Sequence, residues 1–497
     1  MHRDCAKPQI LLGAALALAF VAYALWGLRY FLVDDTYISL KYALNLAQGN
    51  GLTWNPGERV EGYTNFLFTV LLAGLGSIGV PWETAPRILT FAAYSGLIYW
   101  IWRMTKIPLA AAMIATALPV LAWVMGGLEA VPFALLVAAG SGLVVRHLEG
   151  GELRGLRVGV IFALATMTRP EGALFFGLSG GFLFVRYAMA RRWFAPQLVM
   201  MALGYLALLL PYLAWKFWYY GDLLPNTFYA KRYGVDIGML LPQSLHYVAQ
   251  HLYHAPFFLG FAILSAGLCL WRRQRVVPVI YLSLLIGAYM VYLIFVGGDY
   301  MRHQRLLVPI IPLEVLLISY ILYQREIAAL VMIALLLQVP RILPGVADDP
   351  IMRGPMLVEL LPKLVKPGET VALNMIGYVP FYLPQYHYID MLGLTNPVIA
   401  RTRPSGNHAR YLTGHIKGNA DLVLAEKPKL IQTGLFGEVH LESDRQLRDH
   451  PDLQKHYERI DLWVKLPPEV MDMATQQEMI FPILDGYTYL SFYRRKD

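Results

Sequence analysis

This sequence predicts a polytopic α-helical membrane protein with a C-terminal soluble α/β domain, and three observations lead to that fold class. The 497 residues are 57% hydrophobic and only 15% charged, where a soluble chain carries about 25% charged residues. The apolar residues clump into runs close to the ~20 that cross a bilayer. After Pro340 the character changes: residues 341–497 hold most of the long polar runs and no further span.

Taken in order, the expected spans are 9–28, 63–80, 87–102, 107–125, 128–145, 158–168, 173–190, 196–218, 255–271, 277–296, 306–323 and 327–340. Lys and Arg in short loops orient them. "MHRDCAK", "RHLEGGELRGLR", "RYAMARRW" and "RRQR" are positive and read as cytoplasmic. That places residues 169–172, 221–233, 297–305 and the soluble domain on the external, periplasmic side of a bacterial plasma membrane. An inside N-terminus and an outside C-terminus require an odd number of crossings, so about eleven are expected, with 87–145 and the short 158–168 as the ambiguous stretches. The expected domains are 1–340 (transmembrane) and 341–497 (soluble). A basic start, an apolar core and "AYA" at 22–24 resemble a signal peptide; cleavage there would strip the anchor from Asp34 and Asp35, so an uncleaved first helix is the simpler reading. Cys5 and Cys269 lie in the tail and in a span, so no disulfide framework is expected outside. Positive-inside topology explains much of the net charge of +8, and no nucleic-acid partner is expected. The chain shows no internal repeat, P-loop or GxGxxG.

Four polar clusters interrupt the spans on the expected external face. Asp34 and Asp35 open the first. Behind them Tyr37, Leu40, Leu44 and Ala47 fall at helical spacing, with Lys41, Asn45 and Gln48 on another face. That pattern predicts a short interfacial helix ended by Gly49 and Gly51. One Asp suffices as a helix cap. A second carboxylate beside it at a low-dielectric boundary raises one pKa of the pair, which suits a base that takes a proton from a sugar hydroxyl. The next cluster, 55–66, begins with an Asn-Pro-Gly turn; Glu61 and Asn65 flank the following span. The third, Arg169 and Glu171 in "RPEG", sets ionisable groups inside an apolar stretch, where they are costly and tend to be paired or functional. The fourth combines "GDLLPNTFYAKRYG", with Asn226, Lys231 and Arg232, and "GGDYMRHQRLLVP", with Asp299, Arg302, His303 and Arg305. Cations on this side oppose the positive-inside rule. They suit a phosphate near the headgroup plane, or anionic membrane lipid.

Carboxylates, cations and aromatics at one membrane face fit a lipid-linked phosphosugar, whose departing phosphate needs charge stabilisation and whose acceptor hydroxyl needs a base. The stretch "DDTYISLKYALNLAQGNGLTWNPGERVEGYTNF" resembles the first external loop of the mycobacterial cell-wall terminal arabinofuranosyltransferases, which are GT-C glycosyltransferases. "TRPEG", "GDLLPNTFYAK", "GGDYMRHQRLLVP" and "YIDMLGLTNPVIAR" are similar to later blocks, in matching order. The resemblance implies a GT-C fold, a polyprenyl-phosphate arabinofuranose donor, an external active site, no nucleotide sugar, and catalytic carboxylates at Asp34 and Asp35. Tyr37, Glu61, Asn65, Arg169 and Glu171 are expected to line the site. Lys231, Arg232, Arg302, His303, Arg305, Asn226 and Asp299 are expected to bind the donor. No catalytic metal is expected, because Arg and Lys can neutralise a monophosphate. This chain is shorter than expected of the cell-wall enzymes, so its acceptor, a glycan or a pilin-like protein, stays open.

In the soluble domain, "ETVALN", "HYID", "ADLVLA" and "YTYLSFY" read as strands, and "HARYLTGHIKGN" and "RQLRDHPDLQKHYERI" as helices. "GETVALNMIGYVPFYLP" reads as strand, glycine turn and helix without a nucleotide fingerprint. A transporter is the non-enzyme alternative, but repeated halves and broken midplane helices are not found. An oligosaccharide-to-protein transferase is the enzymatic alternative; such enzymes commonly place a divalent metal on a split carboxylate motif, whereas here the pair is adjacent.

Overall fold

The computed structural model describes residues 18–251, 256–299, 301, 303–336, 349–404, 414–433, 441–468, 470 and 486–496. Packing divides the chain into two units. One comprises Met1–Arg29, Pro86–Ala214 and Ser244–Pro344; the other comprises Tyr30–Ala85, Trp215–Gln243 and Gly345–Asp497. This differs from the expected split at residue 340. The segments 30–85 and 215–243 carry apolar side chains that pack with the C-terminal residues.

The described part of the first unit is helical. Among the described residues four helices are long and apolar enough to cross a membrane: Ala130–Leu148, Gly172–Met189, Pro196–Tyr220 and Val276–Val296. Pro108–Thr116 and Leu118–Met125, bent by 53°, make a fifth candidate. The bend falls at Ala117, whose extended backbone (φ −66°, ψ 109°) precedes a helix with proline in its first turn, where the missing N–H costs nothing. Shorter apolar helices, among them Leu18–Gly27, Phe66–Ser77 and Gly155–Thr168, fall on expected spans. By length and composition alone, four or five of the expected spans qualify as full crossings among the described residues. Tail residues 1–17, with Cys5, lie outside the described residues.

The second unit is built on one sheet of strands β1 (Thr370–Leu373), β2 (His387–Asp390), β3 (Leu430–Gln432), β4 (Tyr457–Lys465) and β5 (Tyr487–Arg495), in the order β2-β1-β3-β5-β4. β1 pairs in parallel with β2 and β3, and β5 runs antiparallel to β3 and β4. Three expected strands stand where the sequence placed them, and the turn and helix after β1 follow at Tyr378–Tyr382. "ADLVLA" is instead the helix Ala420–Ala425, because the Asn419 side chain accepts the Leu422 N–H at 2.9 Å and caps it. "RQLRDHPDLQKHYERI" is broken: Pro451 opens a second short helix, Pro451–His456, and Tyr457 begins β4. β4 pairs with β5 along all nine of its residues, and that ladder overrides helical propensity. Of "HARYLTGHIKGN", expected as a helix, residues 408–413 lie outside the described residues, and 414–419 are irregular rather than helical.

Each sheet face has its own core. Ala372, Ile389, Ile399, Val423, Ile431 and Leu447 fill one side. On the other, Val371, Leu373, Leu430 and Phe492 pack with Ile38, Tyr42, Leu52, Trp54 and Tyr63. The loop after the first expected span is therefore part of the sheet domain's core.

Candidate active site

The helix Asp34–Ala47 carries the paired carboxylates in its first turn, behind Val33 at the N-cap position. Asp34 reaches across to the C-terminal segment: its Oδ2 accepts the Gly377 N–H at 3.0 Å and its Oδ1 the Tyr378 N–H at 2.8 Å. Asp34 thus satisfies the open N-terminus of the helix Tyr378–Tyr382, a cap supplied from 343 residues away in sequence. The approach is so close that a Cβ on Gly377 would meet the Asp34 carbonyl oxygen at 2.0 Å. Tyr37 holds the same helix from the side. Its ring packs edge-on against Tyr378 at 4.8 Å and tilts against Phe381, and its hydroxyl donates to Glu83 at 2.6 Å. The Tyr382 hydroxyl donates to the same Glu83. Asp34 is buried and Asp35 half-buried.

Lys41 is 2% exposed, against the sequence's suggestion of a polar face. Seven positions after Asp34, it lies two turns on along the same side. Burial pulls its ammonium down to about 8. Asn65 splints two helices, exchanging hydrogen bonds with Ser39 and accepting from Thr69 at 3.0 Å. Glu61 is buried against Lys216 at 2.8 Å. Burial pushes its carboxyl up to about 7, with Lys216 opposing and Asp222 adding to the rise.

In the helix Asn226–Arg232, Asn226 donates to the carbonyls of Gly393 and Leu394 at 2.8 and 3.0 Å. It is a staple onto the 390–395 turn, which Asp390 builds by accepting the N–H groups of Leu392, Gly393 and Thr395. Lys231 and Arg232 are half-buried at the end of that helix.

The remaining expected residues belong to the first unit, where the structure draws two motifs into one buried polar cluster. Arg169 holds Glu171 with two contacts, at 2.8 and 3.2 Å, and also binds Glu129. Arg305 pairs with Asp299 at 3.3 Å and lies 5.8 Å from the Trp123 ring. Trp123 donates to the His303 carbonyl at 3.1 Å. Tyr289 is within electrostatic reach of Glu171, Arg169 and Asp299. The connecting loop is contorted: Gly297, Gly298, His303 and Gln304 all have positive φ. Left-handed backbone at non-glycine residues costs of order 1–3 kcal/mol and gathers at functional sites. Among the described residues the cluster sets two arginines against three carboxylates. Arg302 lies outside the described residues. Glu129, Trp123 and Tyr289 escaped the sequence reading because each sits alone in an apolar run. Among the described residues no group of three or more His, Cys, Asp or Glu is placed to hold a metal ion.

Residues 352–489 match the family model described as "Domain of unknown function (DUF8728)". Two curated relatives are each named terminal beta-(1->2)-arabinofuranosyltransferase. The one from Mycobacterium tuberculosis is 28% identical over 234 residues, 41% of this chain and 36% of that protein. The one from Corynebacterium glutamicum is 26% identical over 351 residues, 60% of this chain and 49% of that protein. The matched regions therefore span between a third and a half of the relatives' length. Among solved structures, ArnT from Cupriavidus metallidurans in the apo state superposes with a TM-score of 0.53 at 12% identity, covering 99% of this chain and 98% of ArnT. The same protein bound to undecaprenyl phosphate gives 0.52 at 13% identity, covering 98% of each. In sequence the chain resembles the terminal arabinofuranosyltransferases, and its fold is the GT-C fold of ArnT.

Proposed function

We propose that the protein is a polyprenyl-phosphate-dependent glycosyltransferase, working on the external face of a bacterial plasma membrane and crossing it about eleven times. The sugar is arabinofuranose and the acceptor a glycan or protein of the cell envelope. The relatives named arabinofuranosyltransferase support the class and the sugar. ArnT, solved with undecaprenyl phosphate, supports the lipid.

The observation that carries the chemistry is the division of labour in the Asp34–Asp35 pair. Asp34 is committed to two backbone N–H groups and fixes the helix register against Tyr378–Tyr382. Asp35, beside it and half-buried, takes the proton. The acceptor oxygen forms a bond to the anomeric carbon as the bond from that carbon to the lipid phosphate oxygen breaks. The acceptor proton passes to Asp35, and the lipid leaves as its monophosphate. Cations balance the departing charge; Lys231 and Arg232, in the same unit as Asp35, are proposed for that role. No metal is assigned to the reaction, because an arginine and lysine set can neutralise a monophosphate.

Transfer assayed in vitro with synthetic polyprenyl-phosphate arabinose and a panel of envelope acceptors tests the reading. Transfer by the wild type, lost in Asp35→Asn and persisting after exhaustive EDTA treatment, is the expected result. Activity restored only by added Mg²⁺, Mn²⁺ or Ca²⁺ would make a carboxylate a metal ligand instead.

A further inference from the structure

The second unit contains a polar cavity that the proposed transfer chemistry does not use. Its volume is about 260 Å³, and Arg59, Glu61, Tyr220, Asp222, Asn226 and Arg401 are among its lining residues. Three distant stretches of chain build it: the turn after the first interfacial helix, the 220–226 loop, and the short helix Pro397–Ala400.

The walls are fixed before any ligand arrives. Arg401 donates to Asp222 Oδ2 at 2.9 Å and to Asn226 Oδ1 at 3.3 Å, and lies flat over Tyr229 at 3.8 Å. Asp222 is held in turn by the Tyr229 hydroxyl and the Leu224 N–H, both at 3.1 Å. The Asn226 N–H donates to the Glu61 carbonyl at 2.9 Å. Arg59 lies 4.8 Å over the Tyr219 ring. Glu61 is 5% exposed, and its Oε2 pairs with Lys216 at 2.8 Å.

Charge and size together select the ligand. Two guanidiniums and two carboxyl groups line the wall, so a phosphate entering the cavity would meet Glu61 and Asp222 as well as the arginines. A neutral ring of hydroxyls suits it better, because each hydroxyl both donates and accepts and finds a charged partner of the right kind. Sites for extended organic ligands start at about 300 Å³, so this cavity holds a single ring. From this geometry we infer that the cavity is a subsite for one neutral monosaccharide ring, with Asp222 and Glu61 accepting from its hydroxyls and Arg401 donating to them. The ring belongs to the acceptor glycan or to the lipid-linked donor, and this identification rests on the transferase reading.

The experiment uses the full chain in nanodiscs. Saturation-transfer NMR with neutral methyl pentosides, methyl hexosides and their disaccharides reads binding independently of turnover. Asp222→Asn and Arg401→Gln are each expected to weaken glycoside binding about tenfold, the loss of one charge-assisted hydrogen bond. Far-UV circular dichroism and melting temperature show that the variants remain folded. Inorganic phosphate and phosphoethanolamine should not displace the glycoside. Absence of glycoside binding by the wild type, binding unchanged in both variants, or displacement by either phosphate compound overturns the subsite. A kinetic arm separates the two sources: Arg401→Gln raises KM for the acceptor alone if the ring is the acceptor's, and for the donor alone if it is the donor's. Glycoside binding sensitive to both variants, without transfer from any polyprenyl-phosphate donor, would remove the transferase reading and leave the subsite standing.

Discussion

At the scale of single residues, two neighbouring side chains of one type stand in different surroundings, Asp34 buried and Asp35 half-buried. The sequence shows Asp34 and Asp35 as twins; only the fold shows that Asp34 is spent on Gly377 and Tyr378. Asp34→Asn keeps an acceptor for one N–H but turns an amide N–H₂ toward the other. Leaving a buried donor unsatisfied costs about 1–3 kcal/mol, so this variant should lose melting temperature as well as transfer. Asp35→Asn should lose transfer at a smaller cost in melting temperature, because Asp35 is half-buried where Asp34 is buried. Equal melting temperatures for the two variants would show that Asp34 is not an anchor. Lys41 makes a separate case. Burial lowers its pKa from 10.5 to about 8, so between those values the unfolded chain binds more protons than the folded one. Stability therefore rises with pH through that window, and at pH 7 the folded protein carries the full cost of a buried ammonium, on the order of 3 kcal/mol. Lys41→Met should raise the melting temperature at pH 7 and flatten its rise between pH 8 and 10.5. A lower melting temperature at pH 7 would show that the charge is compensated.

Among the elements, small residues decide how closely helices approach. Gly155 and Gly159 stand one turn apart on the helix Gly155–Thr168, facing Pro196–Tyr220. A Cβ on Gly155 would lie 2.0 Å from the Gln197 carbonyl oxygen, and one on Gly159 2.0 Å from that of Met201. This is the small-xxx-small contact by which membrane helices pack without a hydrophobic driving force between them. Gly159→Leu must push the two backbones apart. It should cost at least the ~1–3 kcal/mol typical of overpacking, measurable as a lower melting temperature in detergent, whereas Gly177→Ala, with nothing within 4 Å of the added Cβ, should be close to neutral. Most helices were legible because apolar runs near 20 residues long have few alternatives. The soluble domain was harder. Strands β1, β2 and β5 announce themselves by β-branched and aromatic residues, but β3 is three residues long, and β4, "YERIDLWVK", exposes both Glu458 and Arg459 and alternates half-buried with exposed positions only from Ile460 onward. Its partner β5 begins at Tyr487, far along the chain, and the pairing, not the local pattern, decides its state.

For the whole molecule, what the sequence could not convey is which distant stretches share a core. Tyr42 and Trp54 read as parts of an interfacial loop, yet they pack with Leu373 and Phe492 of the sheet. Asn226 and Glu61 read as ligand-facing, yet part of each is spent holding loops. Long-range closure of this kind leaves no periodic trace. Orientation is the reverse case: packing does not encode sidedness, and the Lys/Arg distribution is the physical argument for it. The 272–275 stretch, "RRQR", concentrates three positive charges between two apolar helices, and moving it across a bilayer opposes the cytoplasmic bias of short basic loops. The 221–238 stretch then lies on the other side, with the proposed site. Substituted-cysteine labelling in whole cells decides this, starting from a chain with Cys5→Ser and Cys269→Ala. Both chosen positions, Asp236 and Gln274, are polar and lie between helices. A membrane-impermeant maleimide should label Asp236→Cys in intact cells and Gln274→Cys only after permeabilisation. Labelling of Gln274→Cys in intact cells would invert the topology and move the Asp34–Asp35 site to the cytoplasmic face. A donor exposed only at the outer surface could not reach it there, and the proposed reaction would fail with it.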